Sequence, residues 1–203
     1  MTTTTHHWPQ RTAHLLNLLL MLVLAGTGFY IHRPLVGGLM GLARYAHIVA
    51  AFVLLVNLAW RIYYAFLGQY KDAREFKPQL QAFPRQIRYY LFLSNHEVKQ
   101  GLYNPLQRLA YLGVIILLIL QGILGFALGW PQGIMGFLAN GLGLAEIRAL
   151  HYLFTWFFIT FVIIHLYLVL TETPQAFLEM FWGERRERNK TSAATRSSTT
   201  TSK

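Results

Sequence analysis

Four long apolar stretches follow one another along the chain, separated by shorter connections. They cover about residues 11–31, 42–66, 105–130 and 147–171, and their only charged residues are five arginines. A helix needs about 20 apolar residues to cross a hydrocarbon core of about 30 Å, and each stretch reaches that length. Because backbone polar groups in lipid must be paired within the segment, the pattern predicts an all-α, integral membrane four-helix bundle.

The basic residues predict the orientation of the bundle. Six lie in the connection between the second and third spans and six follow the fourth span, whereas the two other connections together contain only Arg33. Since basic residues are retained on the cytoplasmic side, we expect both termini to be cytoplasmic. This asymmetry, together with anionic membrane lipid, accounts for the net charge of +10 without any nucleic acid partner.

The segments outside the four spans are less regular. Residues 82–93 and 174–182 mix aromatic and charged side chains, which is typical of helices in the membrane interface, although ordinary connecting helices fit equally well. The glycine-rich residues 130–145 predict a loop against the outer surface. We expect residues 1–182 to form the membrane domain, with the first span retained rather than cleaved, and residues 183–203 to form a basic, disordered tail.

Composition narrows the chemistry that the chain can perform. Hydrophobic residues make up 54% and charged residues 13%, against about 25% charged residues in soluble domains. The absence of cysteine excludes disulfides, thiolate zinc sites, iron–sulfur clusters and cysteine nucleophiles within the chain. The sequence has a single aspartate, Asp72, and contains no catalytic triad, P-loop or dinucleotide fingerprint.

Four of the eight histidines lie within the predicted spans: His14, His47, His151 and His165. Ionisable residues inside a membrane usually face the interior of a bundle and mark a functional site. With both termini in the cytoplasm, His14 and His165 lie near the cytoplasmic face, while His47 and His151 lie near the outer face. Depth therefore pairs His47 with His151 and His14 with His165.

The spacing within the fourth span places its two histidines on one helix face. His151 and His165 are 14 residues apart, which is about 21 Å of rise and only about 40° short of four full turns. This is the arrangement of two haems stacked across a bilayer, each held by two imidazoles. Interhelical hydrogen bonding remains the alternative for any single histidine.

Four arginines fit the same arrangement. Arg11, Arg44 and Arg148 each lie three residues before a proposed ligand, on the side of the nearer membrane surface, where haem propionates are expected. Arg61 lies 14 residues after His47 and is therefore level with the cytoplasmic haem. A guanidinium can bind a carboxylate with two hydrogen bonds, although arginines near span ends also occur as snorkelling residues.

Glycines offer room in the first and third spans. They either let a macrocycle approach the backbone or let neighbouring helices pack closely, and the sequence does not separate these functions. The glycines concerned are Gly26, Gly28, Gly122 and Gly125.

Several segments together resemble a known family. They are RTAHLLNLLLMLVLAGTGFYI, RYAHIVAAFVLLVNLAWRIYYAFLGQY, RYYLFL, YNPLQRLAYLG, QGILGFAL and LHYLFTWFFITFVIIHLYLVLTE. The chain resembles the b-type cytochrome subunit of membrane-bound nickel–iron hydrogenases, within the wider di-haem cytochrome b family that also serves formate dehydrogenases and thiosulfate reductases. The RIYYAFLG and RYYLFL pieces favour the hydrogenase branch.

The resemblance implies a ligand set and a quinone site. It implies two haem b groups, with His47 and His151 on the outer one and His14 and His165 on the inner one, in agreement with the depth argument. It also implies a menaquinone or ubiquinone site beside the inner haem, with Asn104 helping to line it and Gln107 as its neighbour. The N-cap of the third span is an equally good role for Asn104.

On this resemblance the chain is expected to transfer electrons in a bacterial or archaeal inner membrane. The hydrogenase small subunit, or an equivalent iron–sulfur subunit outside the membrane, would supply electrons, and the quinone would be reduced at the cytoplasmic side. The alternatives are a formate dehydrogenase or thiosulfate reductase subunit, a stand-alone di-haem quinol oxidoreductase, and a haem-free membrane anchor.

Overall fold

The structure is a computed structural model, and it describes residues 8–68, 82–90, 93 and 105–182. Within these ranges the chain is helical and contains no strand. The described ranges contain seven helices: α1 (Trp8–His32), α2 (Met40–Leu67), α3 (Phe83–Tyr90), α4 (Pro105–Gly129), α5 (Gly136–Leu142), α6 (Leu144–Glu172) and α7 (Pro174–Trp182).

The four long helices confirm the predicted spans. Helices α1, α2, α4 and α6 have 25, 28, 25 and 29 residues, so the shortest of them extends about 38 Å. Large apolar side chains are exposed along all four helices, among them Leu22, Val56, Ile116 and Ile163. Such a surface is expected where lipid surrounds the protein, and the all-helical membrane fold is thus confirmed.

The helix ends follow from local backbone chemistry. Gly143 has a φ of 91°, a left-handed conformation that ends α5. Its N–H donates to the carbonyl of Ala139, while its own carbonyl accepts from Ile147 in α6. Gly143 therefore separates two helices and forms one backbone hydrogen bond with each of them. Pro174 begins α7 in the position where the missing N–H of proline costs nothing.

The connections contain more helix than the sequence suggests. Residues 130–145, predicted as a loop, contain helix α5. Its Leu138 and Ala139 pack with Met135 against a buried cluster formed by Leu124, Ala127 and Ile147, so burial of apolar side chains stabilises the extra helix. Residues 82–93 and 174–182 contain α3 and α7 as expected, and their location in the membrane interface stays a prediction. Residues 183–203 lie outside the described residues.

The described chain divides into two compact units, residues 16–160 and the ends at 8–15 and 161–182. In the larger unit, all four long helices contribute to one apolar core, whose buried members are Leu20, Ala50, Leu54, Leu58, Leu118 and Phe158. Within that unit the amide of Asn57 donates to Asn17 Oδ1 at 2.7 Å. This hydrogen bond joins α1 to α2 within the apolar bundle.

In the smaller unit, α7 contacts the start of α1. Arg11 donates from Nε to the carbonyl of Met180 at 3.1 Å and from Nη2 to that of Phe181 at 3.3 Å. The last carbonyls of a helix have no partner within the helix. Arg11 therefore caps α7, and a cation at this end also interacts favourably with the helix dipole.

Candidate functional site

The first histidine pair joins α2 to α6 in the unit of residues 16–160. The ring centroids of His47 and His151 are 6.3 Å apart, and the ring planes meet at 62°. Both side chains are partly buried. The structure thus brings together the two histidines that the sequence pairs by depth.

Two of the four predicted glycines make room for these rings. A Cβ added at Gly28 would lie 3.3 Å from Cε1 of His47, and a Cβ at Gly125 would lie 3.4 Å from Cε1 of His151. A Cβ added at Gly122 would instead lie 3.1 Å from the side chain of Leu55, so this glycine allows two helices to pack closely. A Cβ added at Gly26 would have no atom within 4 Å. Gly28 and Gly125 thus face imidazoles and Gly122 faces a neighbouring helix, while the approach of a macrocycle to any of them stays a prediction.

A threonine that sequence analysis missed contacts His47. Thr27 Oγ1 lies 2.9 Å from His47 Nδ1 and 2.6 Å from the carbonyl oxygen of Val23, one turn earlier in α1. The carbonyl of Leu24 also faces the imidazole. The available signal was a hydroxyl next to Gly28, directly after the apolar residues 18–26.

His151 has a different environment, which includes a second residue that sequence analysis missed. Gln121 Nε2 donates to the backbone carbonyl of His151 at 3.0 Å, and Thr155 Oγ1 donates to the same carbonyl at 3.0 Å. Among the described residues, His151 Nδ1 and Gln121 Oε1 are buried without a hydrogen-bond partner. Unsatisfied buried polar atoms are rare in proteins and often mark a functional site.

The second histidine pair joins α1 to α6 in the smaller unit. The ring centroids of His14 and His165 are 6.0 Å apart, with 78° between the planes. Phe161 stacks on His165 with a centroid distance of 5.7 Å and an interplanar angle of 16°, and it restricts the ring on that side. The second pair predicted from depth is therefore also formed.

The other predicted site residues are distributed differently. Arg44 and Arg148 are exposed, as residues near a membrane surface often are. The guanidinium carbon of Arg61 lies 6.0 Å from the ring centroid of Tyr111, a cation–π distance. Asn104 and the side chain of Gln107 lie outside the described part of the chain. The propionate and quinone assignments of these residues stay predictions.

The two histidine pairs suit a metal ion that is already coordinated by a porphyrin. Within the described ranges, no group of three or more histidine, cysteine or acidic side chains could hold a metal ion. Each pair offers two imidazoles, and the porphyrin of haem supplies four further ligands to its iron. Two imidazoles on opposite sides of one metal, with bonds of about 2.0 Å, have ring centroids roughly 6 Å apart. Both observed separations agree with this value.

The chain is similar to proteins of a known family. Residues 5–183 match the family described as prokaryotic cytochrome b561. A probable Ni/Fe-hydrogenase B-type cytochrome subunit of Cupriavidus necator is 31% identical, with 81% of this chain and 77% of the relative aligned. The Ni/Fe-hydrogenase 1 B-type cytochrome subunit of Escherichia coli K12, also named as probable, is 32% identical, with 81% and 80% aligned.

The contact between Arg11 and α7 can be tested by hydrogen exchange. We expect Arg11→Ala to speed exchange of the α7 amides by roughly tenfold, because hydrogen bonds to charged groups contribute about 1.5–3 kcal/mol when buried and less when partly exposed. Arg33→Ala is the matched control, since Arg33 is exposed just beyond the other end of α1. Unchanged exchange of α7 in Arg11→Ala would contradict the capping role.

Proposed function

The chain belongs to the prokaryotic cytochrome b561 family, and from this premise we propose that it is the di-haem membrane subunit of a nickel–iron hydrogenase. As a multi-pass cytochrome b of the bacterial inner membrane, it serves in electron transfer. The proposal adds that electrons come from an iron–sulfur subunit of the hydrogenase and reach menaquinone or ubiquinone. The observation that carries it is the presence of two histidine pairs, each with a ring separation suited to one metal.

Each pair is proposed to hold one haem b between two helices. His47 and His151 would hold the haem on the outer side, and His14 and His165 would hold the one on the cytoplasmic side. Haem with two imidazole ligands supplies one-electron transfer and leaves no iron position open to oxygen. The chain fixes the depth and the ligands of each group, and the surrounding apolar side chains limit the access of water.

The basic side chains are proposed to serve the haem propionates. Arg44 and Arg148 lie three residues before His47 and His151, one helical turn toward the predicted outer surface. Arg61 is assigned to the cytoplasmic haem from its helical register alone. Arg11 uses Nε and Nη2 on the carbonyls of α7, so a propionate would bind to its remaining donor nitrogen, Nη1.

The quinone is proposed to bind near the start of α4. Asn104 immediately precedes the first turn of this helix, and Gln107 lies in that turn. Their amides can donate hydrogen bonds to a quinone carbonyl. This assignment rests on the family resemblance of the YNPLQ segment.

The relatives favour hydrogenase over the other donors. Both relatives described above carry names of Ni/Fe-hydrogenase cytochrome subunits. The paired rings and the glycines against them favour a haem protein over a haem-free anchor. A formate dehydrogenase subunit, a thiosulfate reductase subunit and a stand-alone quinol oxidoreductase differ from the proposal in their redox partners, which an experiment on membranes can distinguish.

Hydrogen-dependent reduction of His165→Ala membranes tests the route. In membranes with the hydrogenase, we expect hydrogen to reduce two haems of the unmodified chain and added quinone to reoxidise them. In His165→Ala the cytoplasmic haem and the reoxidation by quinone should be lost, while hydrogen still reduces the outer haem. His32→Ala, which changes an exposed histidine at the end of α1, should behave like the unmodified chain.

Two outcomes of this experiment would contradict the proposal. Equal loss of both haems from an inserted, stable His165→Ala chain would contradict the pairing. Reduction by formate and not by hydrogen would contradict the hydrogenase partner.

The glycines provide a matched test of the outer site. We expect Gly28→Leu to displace His47 and to remove the haem of the His47–His151 pair, because a side chain there meets the imidazole. Gly26→Leu, two residues away on the same helix, should retain both haems since its Cβ meets nothing within 4 Å. Optical spectra of the reduced proteins measure the haem content. Equal haem content in the two variants would show that Gly28 does not protect the site.

A further inference from the structure

We propose that Thr27 is a positioning residue for His47, and that its hydroxyl oxygen accepts the Nδ1–H of the imidazole so that Nε2 is presented to the iron. The inference rests on the proposed haem site at His47 and His151. It goes beyond that site by assigning a role to a residue that binds neither the iron nor the porphyrin.

The hydrogen-bond count around Thr27 sets the direction of the contact. A threonine hydroxyl has one proton, and the carbonyl oxygen of Val23 lies at 2.6 Å to accept it. The oxygen then has only lone pairs to offer to His47 Nδ1 at 2.9 Å. With the hydroxyl proton assigned to the shorter contact, the one to Val23, the proton of this second bond comes from the ring. A neutral imidazole has a single N–H, so Nε2 is left with the free lone pair that a metal ligand requires.

The neighbours of Thr27 strengthen this arrangement. Gly28 follows it directly and leaves the space into which the His47 ring projects, since a Cβ there would lie 3.3 Å from Cε1. The β-branched side chain of Thr27 has a restricted χ1 angle within a helix, and its bond to Val23 restricts it further. Helix α1 thus restricts the orientation of His47, which belongs to α2.

The two ligands of this pair are not equivalent. The Nδ1 atom of His151 is buried and has no side-chain hydrogen-bond partner among the described residues; the backbone of Gln121 lies beside its ring. The nearby hydroxyl of Thr155 donates to the backbone carbonyl of His151 and not to its ring. Thr27 therefore acts on one axial ligand of one haem, which makes its effect separable from that of the other site.

A hydrogen bond at Nδ1 also changes the electronic character of the ligand. Acceptors on the second ring nitrogen of a metal-bound histidine fix its tautomer and raise its basicity. A more basic ligand favours the oxidised iron. Removing the acceptor should therefore make the midpoint potential of that haem more positive, whereas a role in helix packing alone would not change the potential in a hydroxyl-dependent way.

Thr27→Val and Thr27→Ser separate the hydroxyl from the shape of the side chain. Redox titration of the purified full chain, followed in the optical band of the reduced haems, measures both midpoint potentials. We expect Thr27→Val to shift the His47–His151 haem to a more positive potential and to leave the other haem unchanged. Thr27→Ser, which keeps the hydroxyl, should have the same potential as the unmodified chain. Thr171→Val is the matched control, because within the described part of the chain that hydroxyl bonds only to the carbonyl of Tyr167 in its own helix.

The outcomes distinguish this inference from the proposed function. Loss of only the His47–His151 haem in Thr27→Val, with retention of this haem in Thr27→Ser, would also support the positioning role of Thr27. Unchanged potentials in Thr27→Val with both haems bound, or equal shifts in the Val and Ser variants, would overturn it. An unmodified chain that binds no haem would instead overturn the proposed function, whatever the Thr27 variants do.

Discussion

An imidazole inside a membrane bundle requires a partner, because lipid offers it neither water nor a counter-charge. This chain meets the requirement by placing its four intramembrane histidines in two facing pairs, His47 with His151 and His14 with His165. Each pair joins two different helices, and α6 contributes to both. A group bound between the rings of a pair would also tie two helices together, so cofactor binding and helix association are expected to stabilise one another.

Around the His47–His151 pair, each of the four long helices contributes different residues to the site. The ligands come from α2 and α6, whereas α1 and α4 contribute Gly28 and Gly125, which face one ring each. Helix α1 adds the hydroxyl of Thr27, and α4 adds the amide of Gln121, which fixes the backbone beside His151. A helix without a ligand can therefore still determine how a ligand is oriented. This explains how an apolar bundle with few polar residues can hold two rings in a defined arrangement.

Much of the fold follows from sequence because the depth of a residue in the membrane depends only on its position along a spanning helix. Apolar length gives the spans, and the depth of each histidine gives its partner. Both pairs were predicted in this way. The sequence does not reveal which side chains meet around the helix axes, since that depends on packing. Thr27 and Gln121 were missed for this reason, and Gly26 was indistinguishable from Gly28. Arg11, which its spacing assigns to a propionate, also caps α7, a contact that arises because the chain folds back to it after α6.

The central claim is that each histidine pair holds one haem b. The most direct measurement is the haem content of the purified, intact chain by the pyridine haemochrome method, together with a spectrum before and after reduction with dithionite. We expect two haems b per chain and an α band that appears on reduction. A folded chain that contains a single haem, or that gives no such band, would contradict the central claim.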